Sequence, residues 1–320
     1  MTQKTDTRDT KDTAVLKLYS MAILLLDILI VLFKSIVAIF EAIYLNFFPP
    51  PEESVVGEIV LITGTGHGIG RELALQYCAH GATVVGVDIN EKGNTETEQL
   101  GKERGYKSFH TFTCDISQRQ NVTELGKKVK AKVGDVTIIV NNAGIMPCHP
   151  LKNTSEEEIR KIFDVNVFSH FWVLETFLPS MMEKNHGHIV GISSMAGVVG
   201  LPNLVPYCAS KFAVRGYMEA LAEELREDAR ISKIKFTSIF PFMVDTGLCK
   251  NPKIKFPSLM GLLQPKDVAS HIIRSQRRGE AQVAIPNGLL HVNNFCRLMP
   301  LKVARILKDF LDSGVDSDLL

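Results

Sequence analysis

What the chain lacks narrows its function first. Its 36 lysine and arginine residues are matched by 35 acidic ones, for a net charge of +1. That balance excludes the basic footprint by which a protein holds nucleic acid. The 6 cysteines show neither metal-ligand spacing nor the framework of a disulfide-stapled domain. They are therefore expected as reduced, mostly packed thiols in a protein exposed to cytosol, and no metal site is expected. Internal repeats and long low-complexity linkers are also missing, which excludes a repeat array.

What is present is concentrated in residues 193–211, Ser-Ser-Met-Ala-Gly-Val-Val-Gly-Leu-Pro-Asn-Leu-Val-Pro-Tyr-Cys-Ala-Ser-Lys. Ser194 precedes Tyr207 by thirteen residues, and Lys211 follows it by four. Positions i and i+4 lie on one face of a helix, one turn apart. An ammonium beside a phenol favours the phenolate, so the pair predicts a Tyr207 pKa below the free value of about 10. A phenol so tuned works as a general acid or base nearer neutral pH. Ser194, delivered from a strand end, is placed to hydrogen-bond the oxygen that gains or loses the proton. Taken alone, the spacing fits a surface Tyr-Lys pair with a loop serine equally well.

A second pattern separates these readings. Ile59-Val60-Leu61-Ile62 is a short apolar run rich in β-branched residues, the signature of a buried parallel strand. Thr63-Gly64-Thr65-Gly66-His67-Gly68-Ile69-Gly70 follows at once. Arg71 to His80 then reads as an amphipathic helix with Leu73, Ala74 and Tyr77 on one side, closed by Gly81. Glycines between a strand and a helix let the backbone approach a pyrophosphate seated at the positive helix N-terminus. The next strand, Thr83 to Val87, ends in Asp88. A carboxylate there accepts from the ribose 2′-hydroxyl of NAD and repels the 2′-phosphate of NADP. Its other use would be to cap the following helix. His67 and Arg71 lie near the same site and would soften the preference, so NAD is the expected cofactor with NADP not excluded.

These motifs resemble the short-chain dehydrogenase/reductase family, in pieces running from residue 57 to about 286. Thr-Gly-x-x-x-Gly-x-Gly is Thr63 to Gly70, and Asn-Asn-Ala-Gly is Asn141 to Gly144 after the strand Val136 to Val140. Asp115 in Cys114-Asp115-Ile116 matches an acidic residue placed near adenine, and Asn166 matches the family's helix asparagine. The resemblance implies a single α/β domain, a Rossmann-like doubly wound parallel sheet flanked by helices. It implies Tyr207 as general acid/base, and Lys211 lowering its pKa and binding the nicotinamide ribose. Ser194 would hold the substrate oxygen, and Asn166 a water linking Lys211 to solvent. Cofactor contacts are implied at Gly64, Gly68, Ile69, Gly70, Asp88, Asp115, Ile116, Asn142, Ala143, Gly144 and Thr246, besides Tyr207 and Lys211. One departure is visible: the family's Pro-Gly after the sixth strand is Pro241-Phe242 here, which puts bulk beside the nicotinamide position. Cells usually keep NAD oxidised, so alcohol oxidation is the expected direction.

The chain exceeds that core at its front. Residues 1–13 are polar and expected to be a disordered tail. Residues 14–51 are expected as a membrane anchor: Ala14 to Phe48 is strongly apolar and ends in Pro49-Pro50-Pro51. Ser20, Asp27, Lys34 and Glu41 interrupt it at strict seven-residue spacing. On one helix they would form a narrow polar stripe, since each step of seven falls only about 20° short of two turns. A charge facing hydrocarbon near the centre costs roughly 2.5–3.5 kcal/mol, so an in-plane helix or a re-entrant hairpin is expected. A cleaved signal peptide is disfavoured by length, and a soluble core helix by the completeness of the catalytic core. Lys4, Arg8, Lys11 and Lys17 precede the acidic Glu52, Glu53 and Glu58, which places the N-terminus in the cytosol. A monotopic anchor then leaves the catalytic domain cytosolic as well. The sequons at Asn121 and Asn153 test this, although both also read as helix starts, Ser155 with Glu158 suggesting a capping box.

The catalytic domain is expected over 52–288 and a C-terminal amphipathic extension over 289–320. Leu289 to Leu311 mixes apolar residues with Arg297, Lys302, Arg305 and Lys308, as suits a lid near a membrane, a homodimer face, or a helix packed over the core. Pro257 to Leu263 lies where the family places its substrate loop, and its apolar character points to a hydrophobic substrate. An apolar anchor ahead of this core is similar to the branch containing epidermal-type retinol dehydrogenases and 17β-hydroxysteroid dehydrogenases types 11 and 13. Gly57 to Gly64 and Asp88-Ile89-Asn90 are especially like it. That resemblance implies an endoplasmic reticulum or lipid-droplet enzyme acting on a lipophilic alcohol or ketone: retinol, a steroid or a long-chain alcohol. A homodimer is implied by the family alone. The alternatives are an NADPH-dependent carbonyl reductase, or a membrane scaffold whose Rossmann core does not turn over.

Overall fold

The computed structural model describes residues 7–257 and 260–318, with side chains from 16 onward. The chain divides into two compact units, Met1–Pro51 and Glu52–Leu320. The first contains helix α1 (Thr7–Phe47), whose 41 residues reach about 60 Å at 1.5 Å each. Neither glycine nor proline interrupts it, and Pro49-Pro50-Pro51 lies just beyond its end. It is therefore one helix and not a hairpin. It also starts inside the segment expected as a tail: residues from Thr7 are helical, and the preceding six lie outside the described residues. Leu16–Phe47 is long and apolar enough to cross a membrane, with mean hydropathy 2.7. Because α1 is continuous, Ser20, Asp27, Lys34 and Glu41 do share one stripe.

The second unit is built on a seven-stranded sheet. Its strands are β1 (Ile59–Thr63), β2 (Thr83–Asp88), β3 (Phe109–Thr113), β4 (Ile138–Asn141), β5 (Gly187–Ile192), β6 (Ile234–Pro241) and, after the short β7 (Pro252–Lys253), β8 (Gln282–Ile285). The order is β3-β2-β1-β4-β5-β6-β8, with every pairing parallel. The expected doubly wound Rossmann-like sheet is what forms. Parallel strands need crossovers, and helices α2 (Gly68–Ala79), α3 (Glu91–Glu103), α4 (Arg119–Lys132), α5 (Glu156–Phe163), α6 (Ser169–Lys184), α7 (Val205–Glu227) and α8 (Pro265–Arg277) provide them. Strand side chains alternate between two cores. Val60 and Ile62 of β1 pack with Leu73 and Tyr77 of α2 and with Ile272 of α8. Leu61, between them, packs with Val122 of α4 and with Val173 and Phe177 of α6.

Strand order reverses between β1 and β4. The loops leaving their carboxyl ends splay apart there and open a crevice, the place where such sheets bind ligands. Beyond β8 the chain forms α9 (Leu289–Leu298), α10 (Leu301–Leu311) and β9 (Gly314–Val315), which pairs antiparallel with β7. Leu290 of α9 is buried against Val198, Phe240 and Ala284. Residues 289–318 thus pack within the second unit.

Candidate active site

The site begins at the end of β1. Gly64 has φ +77° and Gly68 φ +57°, which a side chain would oppose. A Cβ on Gly70 would lie 1.9 Å from the Gly64 carbonyl oxygen. Helix α2 starts at Gly68, three residues earlier than the sequence pattern suggests, because Gly68-Ile69-Gly70 forms its first turn. Its N-cap, His67, makes no side-chain capping bond, and no acid occupies the first turn. The positive helix end therefore stays available to an anion.

Asp88 ends β2 within reach of this turn. Its carboxylate accepts from the Gly66 N–H at 2.7 Å and from the Asn90 N–H at 2.8 Å. It does not cap α3: Asn90 does, accepting from the Gly93 N–H at 3.1 Å. Arg71 is held elsewhere, donating to the Gly66 carbonyl at 2.5 Å and to Thr97 Oγ1 at 3.0 Å, and pairing with Glu96 at 3.2 Å. Asp115 accepts from the Ser117 N–H at 3.0 Å and its hydroxyl at 2.7 Å. Asn142 donates from Nδ2 to the Thr63 carbonyl at 2.8 Å. The N–H groups of Asn142 and Ala143 both donate to Thr63 Oγ1 at 3.0 Å. Thr63 thus locks the two loops together. Its place at the head of the glycine motif is a signal for this, but sequence alone gives a threonine hydroxyl no partner.

The catalytic candidates converge from β5, α6's leading turn and α7. Asn166 is fully buried in a π-helical turn, Asp164–Phe168. Its Oδ1 accepts from the Ile145 N–H at 2.8 Å, and its Nδ2 donates to the Ile145 carbonyl at 3.0 Å and to Ser210 Oγ at 3.1 Å. Ser194 follows β5, its Oγ accepting from the Ala196 N–H at 3.1 Å, and its hydroxyl lies near enough to the Tyr207 phenol to favour the phenolate. Lys211 Nζ donates to the Ile192 carbonyl at 2.9 Å and lies 5.7 Å from the Tyr207 ring centroid. A Cβ on Gly144 would be 3.2 Å from Asn166 Oδ1, tight enough that the amide would have to give slightly, and in ordinary contact with Lys211 Nζ at 3.6 Å.

One expectation changes. Burial pushes the Tyr207 phenol up to about 12, and the Ser194 hydroxyl opposes this only in part. Burial also brings the Lys211 ammonium down to about 8. Spacing puts the two side chains on one face, as expected. In this structure, however, the ammonium is engaged by a main-chain carbonyl and sits 5.7 Å from the ring centroid, and burial sets the direction of the Tyr207 shift.

Most of the expected site residues line one cavity of about 1100 Å³. Gly64, Gly68, Ile69, Gly70, Asp88, Asp115, Ile116, Asn142, Ala143, Gly144 and Thr246 border one end. Ser194, Tyr207 and Lys211 border the middle, and Asn166 stands behind Gly144. The far end is apolar, with Met146, Leu201, Leu204, Met243 and Leu248. Phe242 also lines it, packed against the cluster of Tyr207, Cys208 and Met243. Met260 represents the expected substrate loop, whose Ser258 and Leu259 lie outside the described residues. Unforeseen is the depth to which α9 and α10 enter the wall, through Leu289, Val292, Leu301, Ala304 and Leu311. Among the described residues no cluster suited to a metal ion occurs.

Comparison with known proteins agrees with this geometry. A profile of the family described as short chain dehydrogenase matches residues 58–254. Epidermal retinol dehydrogenase 2 of Mus musculus is 38% identical over 285 residues, 89% of this chain and 92% of that one. Estradiol 17-beta-dehydrogenase 11 of Homo sapiens is 41% identical over 284 residues, 89% of this chain and 93% of that one. 17-beta-hydroxysteroid dehydrogenase 13 of Homo sapiens is 38% identical over 287 residues, 89% and 93% of the two chains. Among solved structures, a short chain dehydrogenase/reductase from Burkholderia phymatum in complex with NAD superposes with a TM-score of 0.69 at 24% identity, covering 77% of this chain and 94% of that one. A glycine turn at the switch point, a Ser-Tyr-Lys trio over one cavity, and relatives matched along nearly their whole length have one common explanation: the chain belongs to the short-chain dehydrogenase/reductase family.

Proposed function

We propose that the protein is a membrane-attached, NAD-dependent dehydrogenase of lipophilic alcohols. The observation that carries this is the convergence of Ser194, Tyr207 and Lys211 on a cavity with a phosphate-binding turn at one end and apolar walls at the other. The glycine cradle fits a dinucleotide, since its uncapped helix end accepts a pyrophosphate and Asp88 faces the ribose position. When bound, the nicotinamide supplies hydride chemistry. Binding would fall to Gly64, Gly68, Ile69 and Gly70 at the phosphates, Asp88 at the ribose, and Asp115 with Ile116 at adenine. Asn142, Ala143, Gly144 and Thr246 would border the nicotinamide half. Arg71 is tied to Gly66, Thr97 and Glu96, which favours NAD over NADP.

Tyr207 acts as general base toward the substrate hydroxyl and as general acid in reverse. Ser194 holds the same oxygen through its hydroxyl. Lys211 provides the cation that compensates a phenolate, its position fixed by the Ile192 carbonyl. Asn166 spends its side chain on Ile145 and Ser210. It therefore serves the proton path by fixing that loop against α7, and any water it holds binds at its main chain.

Relatives named for retinol and estradiol support a lipophilic substrate. Retinol, steroid and long-chain alcohols all suit the apolar end of the cavity. Helix α1 supports attachment to endoplasmic reticulum or lipid droplets, lying in the interface with its polar stripe wet and the catalytic domain in the cytosol. Ser155 and Glu158 form the anticipated capping box, and Asn121 sits in the first turn of α4, so both sequons have structural uses. Expression in cells with Asn121→Gln/Asn153→Gln as control tests the orientation: a cytosolic domain shows no endoglycosidase-sensitive gel shift, and a shift lost in the variant would refute it.

A further inference from the structure

We propose that α9 and α10 seat on an anionic lipid leaflet and form the portal through which substrate passes from the acyl phase into the cavity. This rests on the lipophilic-substrate reading above. A surface helix of a soluble protein buries one apolar stripe and wets the opposite one. Helix α10 departs from that rule. Leu301, Ala304 and Leu311 line the cavity, while Val303, Ile306 and Phe310 on its other side are 38%, 57% and 59% exposed. In α9, Val292 and Cys296 line the cavity, while Phe295 and Leu298 are 60% and 82% exposed. Val292 and Leu301 are themselves 57% and 67% exposed, and Arg297, Arg305 and Lys308 share the cavity side, so the pair is a mixed wall at the cavity mouth whose outward side is apolar.

Charge selects the occupant. Residues 289–311 carry Arg297, Lys302, Arg305 and Lys308 against the single acid Asp309, whereas the whole chain has a net charge of +1. Arg297, Arg305 and Lys308 rim the cavity mouth and Lys302 lies outside it, all four exposed; cations at the rim of an apolar outward face match an anionic leaflet, with charge at headgroup level and apolar groups below it. The wall is also latched next to the chemistry. Arg297 donates to the Val198 carbonyl at 2.8 Å and Lys308 to the Gly200 carbonyl at 2.7 Å, on the loop joining Ser194 to Tyr207. Beyond α10, β9 pairs with β7, and the Asp318 N–H donates to the Cys148 carbonyl at 2.7 Å. A lipophilic alcohol would therefore reach Tyr207 without crossing water.

The test uses the full chain in phosphatidylcholine vesicles containing phosphatidylserine and acyl-brominated lipid. Leu298→Trp in a Trp172→Phe background should lose emission severalfold when brominated lipid is present, because bromine reports contact with acyl chains. In vesicles, Lys302→Gln should lower kcat/KM for a bilayer-dissolved long-chain alcohol by about fivefold, as loss of one membrane-facing cation implies, and Phe295→Ser/Ile306→Ser should lower it by at least about tenfold, since each side chain buried in the leaflet is worth more than a cation. In detergent micelles both should match wild type. Unquenched emission, or equal losses in vesicles and micelles, would overturn the portal. So would a detergent-solubilised dimer that shields the residue-298 indole before lipid is added. If wild type turns over no alcohol, the functional proposal fails, and quenching still decides the docking surface.

Discussion

Replacing Lys211 by methionine should make the empty protein no less stable while abolishing its activity. Lys211 is only 4% exposed, and its pKa falls from 10.5 to about 8 because burial disfavours the ammonium. At about 1.4 kcal/mol per pH unit, that difference amounts to roughly 3 kcal/mol of unfavourable burial. Methionine removes it but leaves the Ile192 carbonyl without its 2.9 Å donor, a loss of about 1–3 kcal/mol. The net expectation is a change of roughly 0 to +2 kcal/mol, where an average substitution destabilises by about 1 kcal/mol. Its pH dependence has a definite sign. Below about 8 the lysine is charged in both states, and the folded chain carries the full burial penalty. Between about 8 and 10.5 the unfolded chain holds the proton that the folded chain has released, so stability rises with pH. Urea unfolding of wild type and Lys211→Met in detergent at several pH values isolates this contribution by difference. The advantage of the variant should fall by roughly 3 kcal/mol through that window, passing through zero so that wild type is the more stable above it. A variant destabilised by more than about 2 kcal/mol at neutral pH, or a gap independent of pH, would refute the reasoning.

Other perturbations address the remaining parts of the site. Gly70→Ala puts a Cβ 1.9 Å from the Gly64 carbonyl oxygen; the backbone has to move, and calorimetry should find NAD binding lost. Asp88→Ser removes a charged acceptor worth about 1.5–3 kcal/mol, so kcat/KM with NAD should fall about 10- to 100-fold while that with NADP rises. Ser194→Ala removes the hydroxyl beside the Tyr207 phenol; kcat should fall by about 10²-fold or more with NAD affinity unchanged, as stopped-flow binding would report.

Much of the site is legible in the sequence because its chemistry is local there. The strand, glycine turn and helix from Ile59 to His80 are contiguous, and so is the stretch from Ser194 to Lys211. Parallel-strand patterning in Ile59 to Ile62 and Thr83 to Val87 suffices for the sheet, since buried parallel strands are apolar on both faces. What escapes depends on tertiary neighbours. The i, i+4 spacing says nothing of the burial that raises the Tyr207 phenol in the empty protein, or of the Ile192 carbonyl that takes the Lys211 ammonium. Asp88 has two possible uses in the sequence, and only Asn90's position as the α3 cap removes one of them. The role of Thr63 needs Asn142, and the cavity wall needs α9 and α10, which lie far from the motifs in sequence. Helix α1 forms without a break because nothing between Ala14 and Phe47 disfavours helix.

The central claim is that Tyr207 performs acid/base chemistry on a lipophilic alcohol in this cavity. Membranes carrying wild type or Tyr207→Phe should be given NAD or NADP with retinol, a steroid alcohol and a long-chain alcohol, and reduced cofactor and oxidised product followed together. The account predicts turnover with NAD on at least one of these alcohols, lowered by about 10²- to 10⁴-fold or more in Tyr207→Phe with NAD binding intact. Turnover that survives in Tyr207→Phe, or none from wild type in either direction while it binds cofactor, would contradict it.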